Sequence, residues 1–132
     1  MTPSTPANGN PAPALTCWMI WFGILAGMMM IQFFVGHGIP SGPDQGTPPM
    51  VLVTVALGAA VISLAIRVRV LPGARTPEEK LKWMIVGLAL AEGCGINGIF
   101  LIPSEFPHTK LIILIAAVTA ILVQAPVYAN EK

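Results

Sequence analysis

Charge is what this chain has least of. Only 10% of its 132 residues are Asp, Glu, Lys or Arg, where an ordinary soluble domain carries about a quarter. None of them occurs before Asp44. The formal net charge is +1, and basic residues gather only where one apolar run ends and the next begins, which argues against a nucleic-acid partner. The two cysteines, Cys17 and Cys94, form no CxxC and no Cys/His cluster. They read as small apolar core residues, and their different depths argue against a disulfide. His37 and His108 both lie outside the apolar runs, so paired histidines for an intramembrane haem are missing. Two histidines without a third ligand make a poor metal site. No nucleophile–base pair, phosphate loop or zinc motif is present. The sequence therefore predicts no enzyme, no metal and no cofactor.

What is there is apolarity, 55% of the chain. Charge-free runs cover Gln45 to Ile66, Trp83 to Ala91, Gly93 to Ser104 and Leu111 to Asn130. A hydrocarbon core of about 30 Å takes roughly 20 helical residues to cross. The predicted fold class is all-α: a membrane protein of four antiparallel transmembrane helices in an up-down bundle. Residues 1–14, MTPSTPANGNPAPA, hold nothing that could bury a core and read as a disordered tail. With no basic n-region, they do not read as a secretory signal. The transmembrane domain is expected over 15–127, with helices at about 15–35, 50–71, 77–102 and 109–125, followed by a polar tail at 128–132.

Local signals place the ends. In the first helix, Gly23 and Gly27 make a small-xxx-small motif that lets another helix approach closely, and Met28, Met29 and Met30 suit irregular apolar gaps. Gly36 to Pro49 is a turn-rich connector. The second helix is rich in small residues from Ala56 to Ser63 and is broken by Pro72-Gly73. Thr76, Pro77 and Glu79 form a strong start signal for the third: an N-cap, a proline in the first turn and the Thr-x-x-Glu capping box. Glu78 and Glu79 also suit the positive end of the helix dipole. The short link from Pro103 to His108 makes the third and fourth helices neighbours.

Arg67, Arg69, Arg75, Lys80 and Lys82 flank the second connection, Lys132 falls on the same side, and Lys110 stands on the other. The positive-inside rule then puts the second connection and both termini in the cytoplasm of a multi-pass protein of the inner, cell membrane. Trp18, Trp21, Trp83 and Tyr128 fall near the inner interface and Phe33, Phe34, Phe100 and Phe106 near the outer one.

One residue breaks the apolar pattern. Within LKWMIVGLALAEGCGINGIFLI, Leu81 to Ile102, Glu92 sits almost at the centre. Desolvation at that depth disfavours the charged form, so a neutral, enclosed carboxyl is expected. Glu92 is either a proton- or ion-binding group or a structural acid hydrogen-bonded between helices. At 100° per residue Gly87, Ala91, Gly95 and Gly98 form a packing stripe beside it, while Asn97 is about 140° away. Thr119 is the favoured neutral partner by depth, with Ser63 one turn further in. Gln32, Thr54 and Asn97 make a second polar layer toward the outside.

Two resemblances follow. The run ARTPEEKLKWMIVGLALAEGCGINGIFLI resembles the second half of a rotor-ring proteolipid hairpin of rotary ATP synthases, through Arg75, Pro77, Gly87-Leu88-Ala89-Leu90-Ala91-Glu92, Gly95-Ile96 and Gly98. That resemblance implies a carboxylate at Glu92 that carries a proton or sodium ion. The second helix has no GxGxGxG stripe, and Asn97 stands where that family usually has a Tyr. More of the chain resembles small bacterial four-helix membrane proteins of unassigned function. The shared features are helix number, order and length, Ala89-Leu90-Ala91-Glu92-Gly93 and Gln124-Ala125-Pro126. The expected role is a small helical bundle or accessory membrane subunit. The expected partners are the lipid bilayer and either further copies or other membrane subunits.

Overall fold

The computed structural model describes residues 12–127. Four α-helices follow one another: α1 Ala12–Phe34, α2 Met50–Ala65, α3 Pro77–Phe100 and α4 Pro107–Val123. No strand occurs among the described residues. The first helix starts at Ala12, inside the stretch expected to be a disordered tail; the rest of that tail, and the polar tail at 128–132, lie outside the described residues.

The helix ends follow from local chemistry. At α3 the Thr76 hydroxyl accepts from Glu79 N at 3.1 Å, and Pro77 occupies the first turn. The Glu79 carboxylate reaches back one residue further than a standard capping box and accepts from Arg75 N at 3.0 Å. The second helix does not run to Leu71 as an α-helix. It widens into a π turn over Ile66–Val70 and then tightens into a 3-10 turn over Leu71–Gly73. Pro72 has no N–H, and its ring would crowd the carbonyl four residues back, so regular α geometry cannot continue through it.

Packing centres on α3. Its buried residues, Met84, Gly87, Leu88, Ala91, Cys94, Gly95 and Gly98, form a continuous stripe at helical spacing. The stripe meets α4 in a ladder: Gly87 lies against Gln124, Gly95 against Ala117 and Gly98 against Ile113. Met28 of α1 also lies on Gly95, and Ser63 of α2 bonds to the Gly87 carbonyl. The first helix thus packs on α3 and α4, but not through its glycines. A Cβ added at Gly23 or Gly27 would meet nothing within 4 Å, so the small-xxx-small motif makes no close contact among the described residues. Cys17 and Cys94 are buried and free.

The connector after α1 is fastened to the start of α4 by Asp44. Its Oδ1 accepts from His108 N at 2.8 Å and Thr109 N at 3.1 Å, and its Oδ2 accepts from the Thr109 hydroxyl at 2.5 Å. The carboxylate therefore satisfies N–H groups that a helix start leaves open and sits at the favourable end of the α4 dipole. Partial desolvation pushes the Asp44 carboxyl up, but the bonds from Thr109 and His108 outweigh it and hold the group below its ordinary 3.8.

Two measurable consequences follow from these contacts. A depressed acid stabilises the fold fully above its unfolded value and loses that contribution as pH falls through its lower folded value. Stability in detergent should therefore fall below about pH 4, and Asp44→Asn should remove most of that acid-side slope; an unchanged slope would contradict the clamp. At Gly95, an added Cβ collides with the Met28 thioether, its Sδ at 2.7 Å, and comes within 3.3 Å of Ala117. Gly95→Ala should cost about 1–3 kcal/mol, whereas Gly95→Ala combined with Met28→Ala should cost clearly less than the sum of the singles. Thermal or denaturant unfolding of the four proteins checks it.

Candidate functional site

Glu92 is placed on α3 beside the buried stripe, not within it. Its residue is half-buried, which corrects the expectation of an enclosed glutamate. Counting 100° per residue, Glu92 falls within about 20° of both Ile85 and Ile99. Ile85 is 41% exposed, and Ile99 packs at the edge of the core. Glu92 therefore marks the border between the packed face of α3 and its open face. On the open side Ala89 is exposed, and a Cβ on Gly93 would meet nothing within 4 Å. No side chain among the described residues hydrogen-bonds to Glu92.

The polar partners expected around it are dispersed. Thr119 is exposed on α4 and Thr54 is exposed on α2. Asn97 is half-buried, and its main-chain carbonyl accepts from Leu101 N and Ile102 N as α3 ends. Gln32 is buried, but its amide donates to the Gly38 carbonyl at 2.5 Å. It closes the turn after α1, where Gly36 has no room for a Cβ against Gln32 and His37 adopts a left-handed φ of 60°. The outer polar layer is thus not a layer. Of these, only the Gln32 side chain makes a hydrogen bond among the described residues, and that one is local; Thr54 is turned outward on its helix.

The polar cluster that does form lies at the other end of the bundle. The Ser63 hydroxyl donates to the Gly87 carbonyl at 2.6 Å. Gln124 Nε2 donates to the Ser63 carbonyl at 2.8 Å and to Ser63 Oγ at 3.1 Å. Both side chains are fully buried. The Gln124 amide lies flat over Gly87, where a Cβ would come within 2.6 Å of Nε2. Gln124 Oε1 has no hydrogen-bond partner among the described residues. Nearby, Trp21 Nε1 donates to the Ile121 carbonyl at 2.7 Å, so three helices and the end of α4 are tied together here. Ser63 was expected as a partner of Glu92 by depth, but its hydroxyl serves Gly87 and Gln124 instead. The central role of Gln124 was not legible, although a lone amide at the end of an apolar helix just before Pro126 was the available signal.

A cavity of about 10 Å³ opens between Gln32, Gly36, Gly98 and Lys110, which is room for about one water. Lys110 Nζ donates to the Ile99 carbonyl at 3.3 Å on its rim. Glu92 does not line it. Among the described residues no three His, Cys, Asp or Glu side chains gather as a metal centre requires.

Compared with protein-family models, curated proteins and solved structures, the chain matches none. Its reading rests on its own geometry. The Ser63–Gln124–Gly87 cluster yields a direct test of that geometry. Ser63→Ala removes the hydroxyl's bond to the Gly87 carbonyl and one bond from the Gln124 amide, and should cost about 1–3 kcal/mol. Gln124→Ala leaves a void as well and should cost more. A double-mutant cycle should return a coupling of about 0.5–3 kcal/mol, and strict additivity would show that the two side chains do not meet.

Proposed function

We propose that the chain is an integral membrane protein of the cell membrane, a small antiparallel four-helix bundle acting as an accessory or structural subunit and not as an enzyme. One observation carries this reading: the helices keep most of their apolar surface on the outside. Three are long and apolar enough to cross a bilayer, yet only 11%, 28% and 39% of their apolar windows are buried within the chain. Phe22, Phe34, Val51 and Val68 are each more than half exposed. Monomeric soluble proteins rarely expose contiguous apolar patches larger than a few hundred Å², whereas hydrocarbon is the solvent such faces suit. The fourth helix is shorter, Pro107–Val123; at 1.5 Å per residue it is about 25 Å long, close to the hydrocarbon thickness.

The contact ladder supports opposite directions for α3 and α4, since residue numbers rise on one as they fall on the other. The basic residues between α2 and α3 support a cytoplasmic second connection with both termini on that side. Lys82 stands over the Trp83 ring at 5.1 Å, and Trp18 meets Trp21 edge to face at 5.6 Å. Both pairs suit an inner interfacial belt.

A second reading, a proton- or cation-translocating proteolipid or small transporter using Glu92, draws on a specific observation: the residue is only half-buried and has no hydrogen-bond partner among the described residues. A translocating glutamate needs a path, and the cavity beside Lys110 does not reach it. The accessory-bundle reading is therefore preferred.

Membrane residence and topology are checked together. The chain should stay with membranes through an alkaline carbonate wash. Single cysteines introduced at Gly42 and Gly73, in a background lacking Cys17 and Cys94, should react with an impermeant maleimide from opposite sides. Labelling of both from one side would overturn the topology, and release by carbonate would overturn the membrane reading itself.

A further inference from the structure

The open face of α3 carries the one charged-type side chain in the middle of a predicted span, and nothing among the described residues hydrogen-bonds to it. Three features of that face bear on what covers it. The first is room: Ala89 is exposed and Gly93 has open space where a Cβ would be, so a neighbouring helix can approach closely beside Glu92. The second is depth. Every Lys and Arg lies at or beyond the end of an apolar run, far along the helices from the level of Glu92. The third is the chemistry of the group itself. A carboxylic acid donates through its O–H and accepts through its C=O, and so complements a copy of itself.

Two copies inserted in the same orientation place identical residues at identical depth, and a two-fold axis along the membrane normal brings like residue to like residue. Lipid chains on this face would leave the carboxyl without any hydrogen-bond partner in hydrocarbon, which is costly. We infer that the open face of α3, with Glu92 at its border and Ala89 and Gly93 beside it, is a homodimer interface in which the two Glu92 side chains hydrogen-bond to each other across a two-fold axis. The inference rests on the membrane reading given above. It names a second copy of this chain as the partner of a group that has none among the described residues of one copy.

The test uses the full chain, labelled at its amino terminus with donor or acceptor dye and reconstituted into phosphatidylcholine vesicles. Energy transfer between copies should rise with the protein-to-lipid ratio. Glu92→Gln, which keeps a donor and an acceptor, should associate like the native chain. Glu92→Leu should need about a tenfold higher ratio for half-maximal transfer, the effect of losing interhelical hydrogen bonding. Circular dichroism establishes that each variant keeps its helix content. If Glu92→Leu does not, Ala89→Trp, which blocks the same face without touching the core, decides and should weaken association. Native protein that shows no transfer at any ratio, or Leu and Trp variants that associate as the native chain does, would overturn the inference. Carbonate extraction of the same vesicles separates the two ideas. A chain that stays embedded but monomeric sinks the interface alone, and a chain released by the wash sinks the membrane reading.

Discussion

The close approach of α3 to its neighbours is the constraint on which everything else depends. Gly87, Ala91, Gly95 and Gly98 are all buried, and three of them lie so near a neighbouring side chain that even a methyl group would collide. In hydrocarbon the hydrophobic effect does not hold helices together, because lipid tails are as apolar as leucine. Tight van der Waals contact and interhelical hydrogen bonds do. A helix with a smooth face supplies the first directly, since its neighbours' side chains can lie on its backbone. It supplies the second too. Without a Cβ at Gly87, its carbonyl is open to the Ser63 hydroxyl and the Gln124 amide can lie across it.

Around that axis the two ends of the bundle are fastened by different means. At one end the ties are side chain to main chain: Ser63 to Gly87 and Gln124 to Ser63, both buried, and Trp21 to Ile121, partly buried. Each reaches a carbonyl, and the last reaches the C-terminal turn of α4, where the Ile121 carbonyl also accepts from Gln124 N at 3.1 Å. At the other end a carboxylate from a connector, Asp44, serves the opposite need, accepting from the open N–H groups where α4 begins. The same helix is thus capped at both ends by distant residues. A helix of this length would be marginal by propensity alone, so these ties and the core contacts of Ile113, Ala117 and Ile121 account for its stability.

Much of the fold was legible in the residues. The Thr76-Pro77-Glu79 start, the Pro72-Gly73 break and the small stripe of α3 each act through local stereochemistry, which sequence spacing reports directly. What was not legible depended on which way a side chain turns. Gln32, Thr54, Asn97 and Thr119 sit at plausible depths, but depth fixes only one coordinate; rotation about each helix fixes the other, and packing of the whole bundle sets it. The same reason explains Gly23 and Gly27. Their spacing is suited to a close helix contact, yet α1 meets α3 and α4 through Met28 and Trp21 and turns the glycines elsewhere. The π turn after Ala65 was hidden for another reason, since it differs from an α-helix by one residue in hydrogen-bond register and leaves no pattern in composition.

Glu92 combines both situations. Its depth was readable, and its rotation decides its chemistry. Had it fallen about 60° further round, on the line of Gly95, it would have faced the core, and the cost of an acid there would have fallen on this chain's own packing. Placed at the border, it leaves the core wholly apolar on α3, so the bundle closes without it. The polar groups that the fold needs are supplied by Ser63, Gln124 and Asp44, none of which touches Glu92. A side chain that makes no hydrogen bond among the described residues, and is costly to leave bare in hydrocarbon, is the one that the proposed dimer would partner. On the dimer proposed above, the interaction that explains Glu92 is one between molecules.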